Sequence, residues 1–305
     1  MNRRRFLDAT VGTAAVLLGH TVWARMPIER TGPPRLRLAL AAYSFRRHFA
    51  FMKGKPQKLE AGARPFDLFQ FIDYCAKQDV EGAELTAYFF PPDADAGYFR
   101  ELKRHAHFRG VTISGTAIGN DFSMGPGEAL KAQIEETKEW IKKAAQLGAP
   151  HLRVFAGTAK GFAKAPENID HSIAALAECA AFAGDHGIVI GVENHGNLSA
   201  EQMLTLMEGV DSPWIGINLD TGNFFSEDPY GDLEACVPYA VNVQAKVMMR
   251  RPDKTKYPAD FDRIGQILRA GNYQGFVVLE YEEESPFENI PEILSDLRQS
   301  LAASF

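Results

Sequence analysis

The hydrophobic positions of this chain fall into short apolar runs that alternate with longer helical patterns. Eight runs bounded by turn residues predict β-strands at 36–44, 80–87, 111–118, 150–157, 187–194, 214–220, 240–247 and 275–282. Between them, apolar residues recur at helical spacing in stretches such as 65–78, 127–148, 168–187 and 199–209. Three of these stretches close on a glycine, as helix C-termini commonly do: Gly148, Gly187 and Gly209. The pattern therefore predicts repeated β–α units.

Eight such units predict the α/β class and a single (β/α)₈ TIM barrel, a fold of about 250 residues. The main alternative is a doubly wound open sheet, which commonly carries a glycine-rich phosphate turn. No GxGxxG motif opens the first helix, so the barrel is favoured. The longest irregular stretches, 45–64 and 248–259, follow the first and seventh strands. We expect both to be loops at the active face of the barrel.

The N-terminus predicts an export signal. Residues 1–24 begin with basic residues, continue with a small apolar segment and end at Val22, Trp23 and Ala24, a pattern typical of a cleavage site. The run Arg3-Arg4-Arg5-Phe6-Leu7 resembles the twin-arginine type. Cleavage after Ala24 would leave residues 25–305 as the barrel domain, in the periplasm or another extracytoplasmic compartment. A short membrane anchor is the alternative, and otherwise we expect membrane contact only during export.

The net charge of the chain argues against a nucleic-acid partner. The formal net charge is −6, which lacks the basic footprint of proteins that bind nucleic acid phosphates. We therefore expect no nucleic-acid partner. The sequence leaves open whether the chain forms a homo-oligomer.

Polar side chains stand near the ends of the last four predicted strands: Glu193, Asp220, Gln244 and Glu280. In a barrel these ends converge on the C-terminal face, where catalysis on this fold takes place. Three carboxylates at one mouth repel each other unless a cation neutralises them. Their oxygens and the Gln244 carbonyl favour Mn²⁺ or Mg²⁺ as that cation, with Co²⁺ or Zn²⁺ as alternatives.

These strand ends also carry a family resemblance, in the segments GVENHG (191–196), NLDTGN (218–223), VQAKV (243–247) and VLEYE (278–282). They resemble the sugar phosphate isomerase/epimerase family with a xylose-isomerase-like TIM barrel. The resemblance implies metal ligation by Glu193, Asp220 and Glu280. Gln244 stands where that family commonly has His, and Asn223 stands where it often has a second His. Both differences bear on metal affinity and preference.

The resemblance implies chemistry on a small-molecule carbohydrate. A metal that chelates a sugar carbonyl and its neighbouring hydroxyl stabilises the enediolate formed when the carbon-bound proton is removed. Glu193 and Glu280 would then act as acid and base, giving an isomerase or epimerase of a sugar or sugar-like polyol. One alternative is a lyase that dehydrates a keto-inositol or performs β-elimination on a 3-keto-glycoside. A second alternative is a non-catalytic sugar-binding module.

Two further residues are candidates for catalysis. His195 lies two residues beyond Glu193, so strand alternation puts it on the same face, where we expect it to contact substrate or carry a proton. A histidine that only forms structural hydrogen bonds is the alternative. Lys246 shares the face of Gln244 and would place an ammonium against a developing oxyanion. A salt bridge from Lys246 to Glu280 is the structural alternative.

The remaining candidates are predicted to bind substrate. Arg153 and Glu84 are charges within apolar strands, which indicates a site or a buried pair between the two. Tyr43 and Phe45 follow the first strand, where aromatic side chains would line the mouth of the barrel. Asn223 joins this set from the loop after the sixth strand.

Overall fold

The computed structural model describes residues 27–59 and 66–302, in which eight parallel strands close into a barrel. The barrel strands are β1 Arg35–Ala41, β2 Gly82–Glu84, β3 Thr112–Ala117, β4 His151–Phe155, β5 Val189–Glu193, β6 Ile215–Asp220, β7 Ala240–Lys246 and β8 Gln274–Glu280. Each strand pairs with its neighbours in the chain, and β1 pairs with β8 to close the ring. The predicted TIM barrel is confirmed, and the open-sheet alternative is wrong. The predicted export signal, residues 1–24, lies outside the described residues and stays a prediction.

Helices follow the strands and form the outer layer of the barrel. They are α1 Leu68–Lys77, α2 Ala96–Phe108, α3 Glu128–Leu147, α4 Ala159–Lys164, α5 Asn168–Asp185, α6 Ala200–Gly209, α7 Pro229–Cys236, α8 Phe261–Ala270 and α9 Pro286–Ala302. Short 3₁₀ turns span Ala42–Phe45, Ala87–Phe89 and Val237–Tyr239. Gly148 caps α3 in the left-handed conformation, with φ of 79°, as predicted. Gly209 is instead the last helical residue of α6.

The described part of each long stretch contains a small hairpin that the sequence did not indicate. The stretch after β1 forms a small hairpin from Phe51–Met52 and Lys55–Pro56. The stretch after β7 forms another from Met248–Arg250 and Lys256–Pro258. Among the described residues, no helix has the length and apolar character needed to cross a membrane.

The strands are buried on both faces, as parallel strands covered by helices usually are. All six residues of β6, for example, are buried. Inside the barrel, His151 at the start of β4 occupies space that two glycines leave free. A Cβ at Gly115 would lie 2.1 Å from the His151 ring, and one at Gly191 would lie 3.2 Å from it. The barrel interior is therefore packed around an imidazole.

Burial lowers the pKa of His151 to about 4, although its Nδ1 lies 3.1 Å from the Ser114 carbonyl oxygen. The ring is consequently neutral in the folded protein at pH 7. The unfolded chain takes up a proton near pH 6.5, whereas the folded chain does so only near pH 4. The stability contributed by neutral His151 is thus complete above pH 6.5 and is lost as the pH falls towards 4.

We therefore expect the variant His151→Gln to lose less stability on acidification than the wild type. The difference should reach roughly 2–3 kcal/mol between pH 7 and pH 4.5, because only the wild type has this imidazole to protonate on unfolding. Urea denaturation of both proteins at the two pH values measures it. Equal acid sensitivity would show that His151 is already protonated in the folded state.

Candidate active site

Five barrel strands end on a charged residue. Glu84 ends β2, Glu193 ends β5, Asp220 ends β6, Lys246 ends β7 and Glu280 ends β8. We call these five residues the strand-end cluster. All are buried, with relative exposures between 0% and 7%. Because the strands are parallel, all five lie at the same mouth of the barrel.

A cavity of about 320 Å³ opens at this mouth. This volume is within the range of small-molecule sites. Its walls are formed by Tyr43, Met52, Lys53, Tyr88, Arg153, Phe155, Glu193, His195, Asn223, Lys246, Arg250, Glu280 and Glu282. Met52 and Arg250 come from the two hairpin loops, so those loops do lie at the active face. Three members of the strand-end cluster, Glu193, Lys246 and Glu280, face the cavity directly.

Lys246 lies among three carboxylates. Its Nζ is 2.7 Å from Glu280 Oε1, 3.2 Å from Glu282 Oε2 and 3.4 Å from Asp220 Oδ2. Burial alone would lower the pKa of Lys246, but Asp220, Glu280 and Glu282 outweigh that effect and raise it. The side chain is therefore an ammonium at neutral pH. The predicted contact with Glu280 is present, as part of a larger cluster.

The two carboxylate oxygens of Asp220 contact different groups, the Gly222 backbone and the Lys246 ammonium. Its Oδ1 accepts a hydrogen bond of 2.9 Å from the backbone N–H of Gly222. Burial raises the pKa of Asp220; Lys246 opposes the rise, and Glu193 adds to it. A Cβ at Gly222 would lie 2.8 Å from Lys246 Cγ. The bare backbone at position 222 thus leaves room for the lysine stem beside the acid.

Glu193 pairs with a different cation, Arg153 of the neighbouring strand β4. Arg153 Nε lies 2.9 Å from Glu193 Oε2, and Asn223 Nδ2 donates a hydrogen bond of 3.0 Å to Oε1. Burial raises the pKa of Glu193 to about 6, with Arg153 acting in the opposite direction. The suggested buried pair between Arg153 and Glu84 is therefore wrong, because the guanidinium pairs with Glu193 on the adjacent strand.

Glu84 is the acid of the cluster that lacks an ion-pair partner among the described residues. Thr86 Oγ1 donates a hydrogen bond of 3.4 Å to Glu84 Oε1, while Oε2 is buried with no hydrogen-bond partner in the described part of the chain. Burial, with the nearby Glu280, raises the pKa of Glu84 to about 8. Glu84 is consequently protonated at neutral pH. It does not form part of the cavity wall, so its predicted contact with substrate stays a prediction.

Below the cavity, three buried amides form what we call the amide chain. Asn242 Nδ2 donates to Asn218 Oδ1 at 2.8 Å, and Asn218 Nδ2 donates to Gln244 Oε1 at 2.6 Å. Gln244 Nε2 then donates to Glu280 Oε2. The amide chain runs in one direction and ends on a carboxylate of the strand-end cluster.

The predicted metal ligands are already engaged by other side chains of this chain. Asp220, Gln244 and Glu280 are connected in one network, but the Gln244 oxygen is bonded to Asn218 and its nitrogen faces Glu280. The Lys246 ammonium occupies the space between Asp220 and Glu280. Within residues 27–59 and 66–302, no three His, Cys, Asp or Glu side chains are grouped so that they could hold a metal ion. As arranged, this donor set does not fit the predicted four-ligand site.

The predicted aromatic and imidazole groups divide between the cavity and the core. Tyr43 lines the cavity and is partly buried. His195 lies past the end of β5 and stacks on Phe155, with ring centroids 4.3 Å apart. Partial burial, with Arg153 and Lys246 nearby, lowers the pKa of His195 to about 4, so its ring is neutral.

Phe45 does not reach the cavity. It is fully buried and packs against Tyr74, Phe287 and Phe66, with ring centroids 5.0, 4.8 and 5.2 Å away. Tyr43 and Phe45 were both predicted to line the mouth of the barrel after the first strand, and for Phe45 this is wrong. The chain instead leaves β1 at Ala41 and turns as a 3₁₀ helix, in which residues two apart point in different directions.

Several wall residues were not found from the sequence. Glu282 lies two residues beyond Glu280, so the alternation that places Lys246 beside Gln244 could have indicated it. Tyr88 and Lys53 come from separate loops that meet in space. The Lys53 N–H donates to the Tyr88 carbonyl oxygen at 2.8 Å, and Lys53 Nζ lies 4.6 Å from the centre of the Tyr88 ring. No local pattern in the sequence indicates that contact.

The closed (β/α)₈ barrel and the charged cavity at the C-terminal ends of its strands place this protein in the class of TIM-barrel proteins. The chain belongs to the xylose isomerase-like TIM barrel family, whose model matches residues 72–303. The family resemblance noted in the sequence is thereby confirmed. No curated protein matches the chain.

Solved structures share the fold at low sequence identity. D-psicose 3-epimerase from Clostridium cellulolyticum H10 is 17% identical with a TM-score of 0.68, covering 88% of this chain and 100% of that one. 3-Keto-D-glucoside 4-epimerase from E. coli is 15% identical with a TM-score of 0.66, covering 87% and 100%. A probable 3-DHS dehydratase from Bacillus anthracis is 16% identical with a TM-score of 0.62, covering 88% and 100%.

The protonated state of Glu84 leads to a test by stability. Glu84 ionises near pH 4.5 in the unfolded chain and near pH 8 in the folded one, so it reduces stability increasingly as the pH rises between these values. Glu84→Gln removes the ionisable group at nearly the same shape. Its stability relative to the wild type should therefore rise by roughly 3 kcal/mol between pH 5 and pH 7.5, measured by urea denaturation.

The matched control is Glu81→Gln, which changes an exposed glutamate three residues earlier that pairs with Arg37. We expect no comparable growth of stability with pH in that variant. A Glu84→Gln difference that stayed constant from pH 5 to pH 7.5 would mean that Glu84 is ionised in the folded protein.

Proposed function

We propose that this protein is an enzyme of the sugar isomerase and epimerase type, which moves a proton to and from a carbon beside a carbonyl group. One observation carries the proposal: Glu193 and Glu280 face the same cavity, and each is paired with a different cation, Arg153 or Lys246. Strands β5 and β8 are three positions apart in a ring of eight, so these carboxylates approach the cavity from different sides. A non-catalytic sugar-binding module would not require such a pair.

The proposed reaction uses both carboxylates. One of them removes the proton from the carbon, the C–H electrons form the C=C bond of an enediolate, and the carbonyl oxygen takes the negative charge. The other carboxyl group, once protonated, returns a proton. Return to the opposite face of the same carbon gives an epimer, and return to the neighbouring carbon gives an isomer. Arg153 and Lys246 supply positive charge beside the developing oxyanion.

The substrate class rests on two kinds of support. The family and the sugar epimerases that share its fold favour a small carbohydrate. The cavity walls also suit a polyol, because Tyr43, Tyr88 and Phe155 present aromatic surface and Asn223 presents a hydrogen-bonding amide. The sequence indicated a divalent ion, Mn²⁺ above all, as the carrier of positive charge. The observed donor set does not fit that ion, so the proposed steps use only side chains of this chain.

A lyase is the second candidate, and the two phenols at the cavity favour it. Elimination needs the same base and the same oxyanion stabilisation, together with an acid that protonates the departing oxygen. Tyr43 and Tyr88 both line the cavity, and burial with the nearby Glu280 raises the pKa of Tyr43, so that phenol keeps its proton. Dehydration of a keto-inositol or β-elimination from a 3-keto-glycoside would use these groups.

Incubation in D₂O with aldoses, ketoses and 3-keto-glycosides tests the proposal. For the true substrate class, we expect deuterium in the product sugar by NMR and mass spectrometry, because the removed proton exchanges with solvent. Glu193→Gln and Glu280→Gln should each lower kcat at least about 100-fold, since each removes an acid–base group. Glu201→Gln, on the exposed side of α6, serves as the matched control and should retain full activity.

The outcomes separate the candidates. Deuterium in an intact sugar supports the isomerase or epimerase. Release of water or of an aglycone supports the lyase. Binding of sugars without exchange or release, in a folded protein, would contradict both and favour the binding module.

A further inference from the structure

We propose that the Lys246 ammonium takes the place of a divalent metal ion at this site, so that the proposed enzyme stabilises an oxyanion with a fixed organic cation. The catalytic part of this inference rests on the proposed function. The replacement of the metal rests on the geometry of the described residues alone.

The first argument is the position of the charge. Lys246 Nζ lies within 3.4 Å of carboxylate oxygens from three residues: Asp220, Glu280 and Glu282. A divalent ion bound to Asp220 and Glu280 would need oxygens at about 2.0–2.6 Å, and would therefore sit directly beside this nitrogen. Two adjacent positive charges repel strongly when they are shielded from water. Ammonium and metal ion therefore compete for one place.

The second argument is the direction of the amide chain. Glu280 is bonded to the Lys246 ammonium, and a carboxylate offers only acceptor oxygens to its other partner. Gln244 must then turn its NH₂ group towards Glu280 and its oxygen towards the Asn218 amide. Asn218 in turn accepts from Asn242. Each of these hydrogen bonds pairs a donor with an acceptor in this direction, and the Gln244 oxygen is directed at the Asn218 amide.

The third argument is the register of the strands. Asn242, Gln244 and Lys246 alternate along β7 and therefore share its inward face. In the strand register, Glu280 of β8 lies beside Lys246, and Asp220 of β6 lies beside Gln244. The lysine thus stands one step nearer the cavity than the residue predicted to be a metal ligand. It reaches the acids of both neighbouring strands from the centre of the three.

The function of Lys246 follows from this position. It lines the cavity next to Glu280, which is a proposed proton carrier. Its ammonium has three N–H donors, and a substrate oxygen entering the cavity can replace one of the present acceptors. The group that neutralises Glu280 in the resting site can then donate to the oxygen on which negative charge develops.

The direct test measures Mn²⁺ binding without any substrate. The full chain is treated with chelator, dialysed and titrated with MnCl₂, and free Mn²⁺ is followed by electron paramagnetic resonance. We expect the wild type to leave the ion free at stoichiometric concentration. The double variant Gln244→His/Lys246→Met should bind one ion per chain, with affinity increased at least about 100-fold because the adjacent positive charge is gone.

Two controls accompany the titration. Lys138→Met removes a lysine on α3 that pairs with two carboxylates, Glu135 and Glu178, and it should behave like the wild type. Gln244→His alone keeps the ammonium and should also leave Mn²⁺ free. If the double variant fails to fold, as judged by circular dichroism, the wild-type and Gln244→His titrations still decide the question. Stoichiometric uptake of Mn²⁺ by the wild type would overturn the proposal.

Activity provides a second measurement once a substrate is found. Deuterium exchange by the wild type should be unchanged in excess chelator, and Lys246→Met should lower kcat at least about 100-fold with a smaller change in KM. Loss of exchange in chelator and its recovery with Mn²⁺ would overturn the metal replacement while leaving the proposed reaction intact. Absence of exchange on every sugar would contradict the proposed function, and the Mn²⁺ titration would still decide what occupies the cation position.

Discussion

The constraint on which this structure depends is the electrostatic balance of buried charges at one end of a closed barrel. Burying an unpaired charge costs several kcal/mol, so charged groups in an interior must be paired or neutralised. Five strands end on a charged residue here, and all five residues are buried at the mouth of the barrel. The buried acids are neutralised in two different ways. Glu193, Asp220 and Glu280 have cations within reach, whereas Glu84 carries a proton instead.

The same balance links fold to chemistry. Carboxylates that are desolvated and paired lie close to the pKa range in which a group can both accept and release a proton at neutral pH. Glu193, shifted to about 6, is in that range. The cations that make its burial tolerable are also the groups that would meet the negative charge of an enediolate. The stability of the mouth and the proposed reaction would therefore depend on the same ion pairs.

The sequence predicted a large part of this arrangement because two simple periodicities determine it. Apolar runs of strand length fixed the eight barrel strands, and the polar residues at their ends identified Glu193, Asp220, Gln244 and Glu280. Partners were harder to predict. Arg153 lies near both Glu84 and Glu193, and only the distance between strands decides that it pairs with Glu193. Phe45 was wrongly assigned to the mouth because the chain turns as a 3₁₀ helix directly after β1, and apolar periodicity does not indicate such a turn.

The amide chain has a consequence for how such a site could evolve. An imidazole at position 244 that ligates a metal through one nitrogen would present a donor through the other, and Asn218 now offers a donor to that position. Rotation of the Asn218 side-chain amide by half a turn would offer its oxygen instead, and Asn242 could rotate in response. An asparagine at position 218 can thus donate to residue 244 or accept from it, and no substitution at position 218 is needed. Substitutions at positions 244 and 246 of β7 could therefore exchange the ammonium for a metal ligand, while the buried asparagines adapt by rotation.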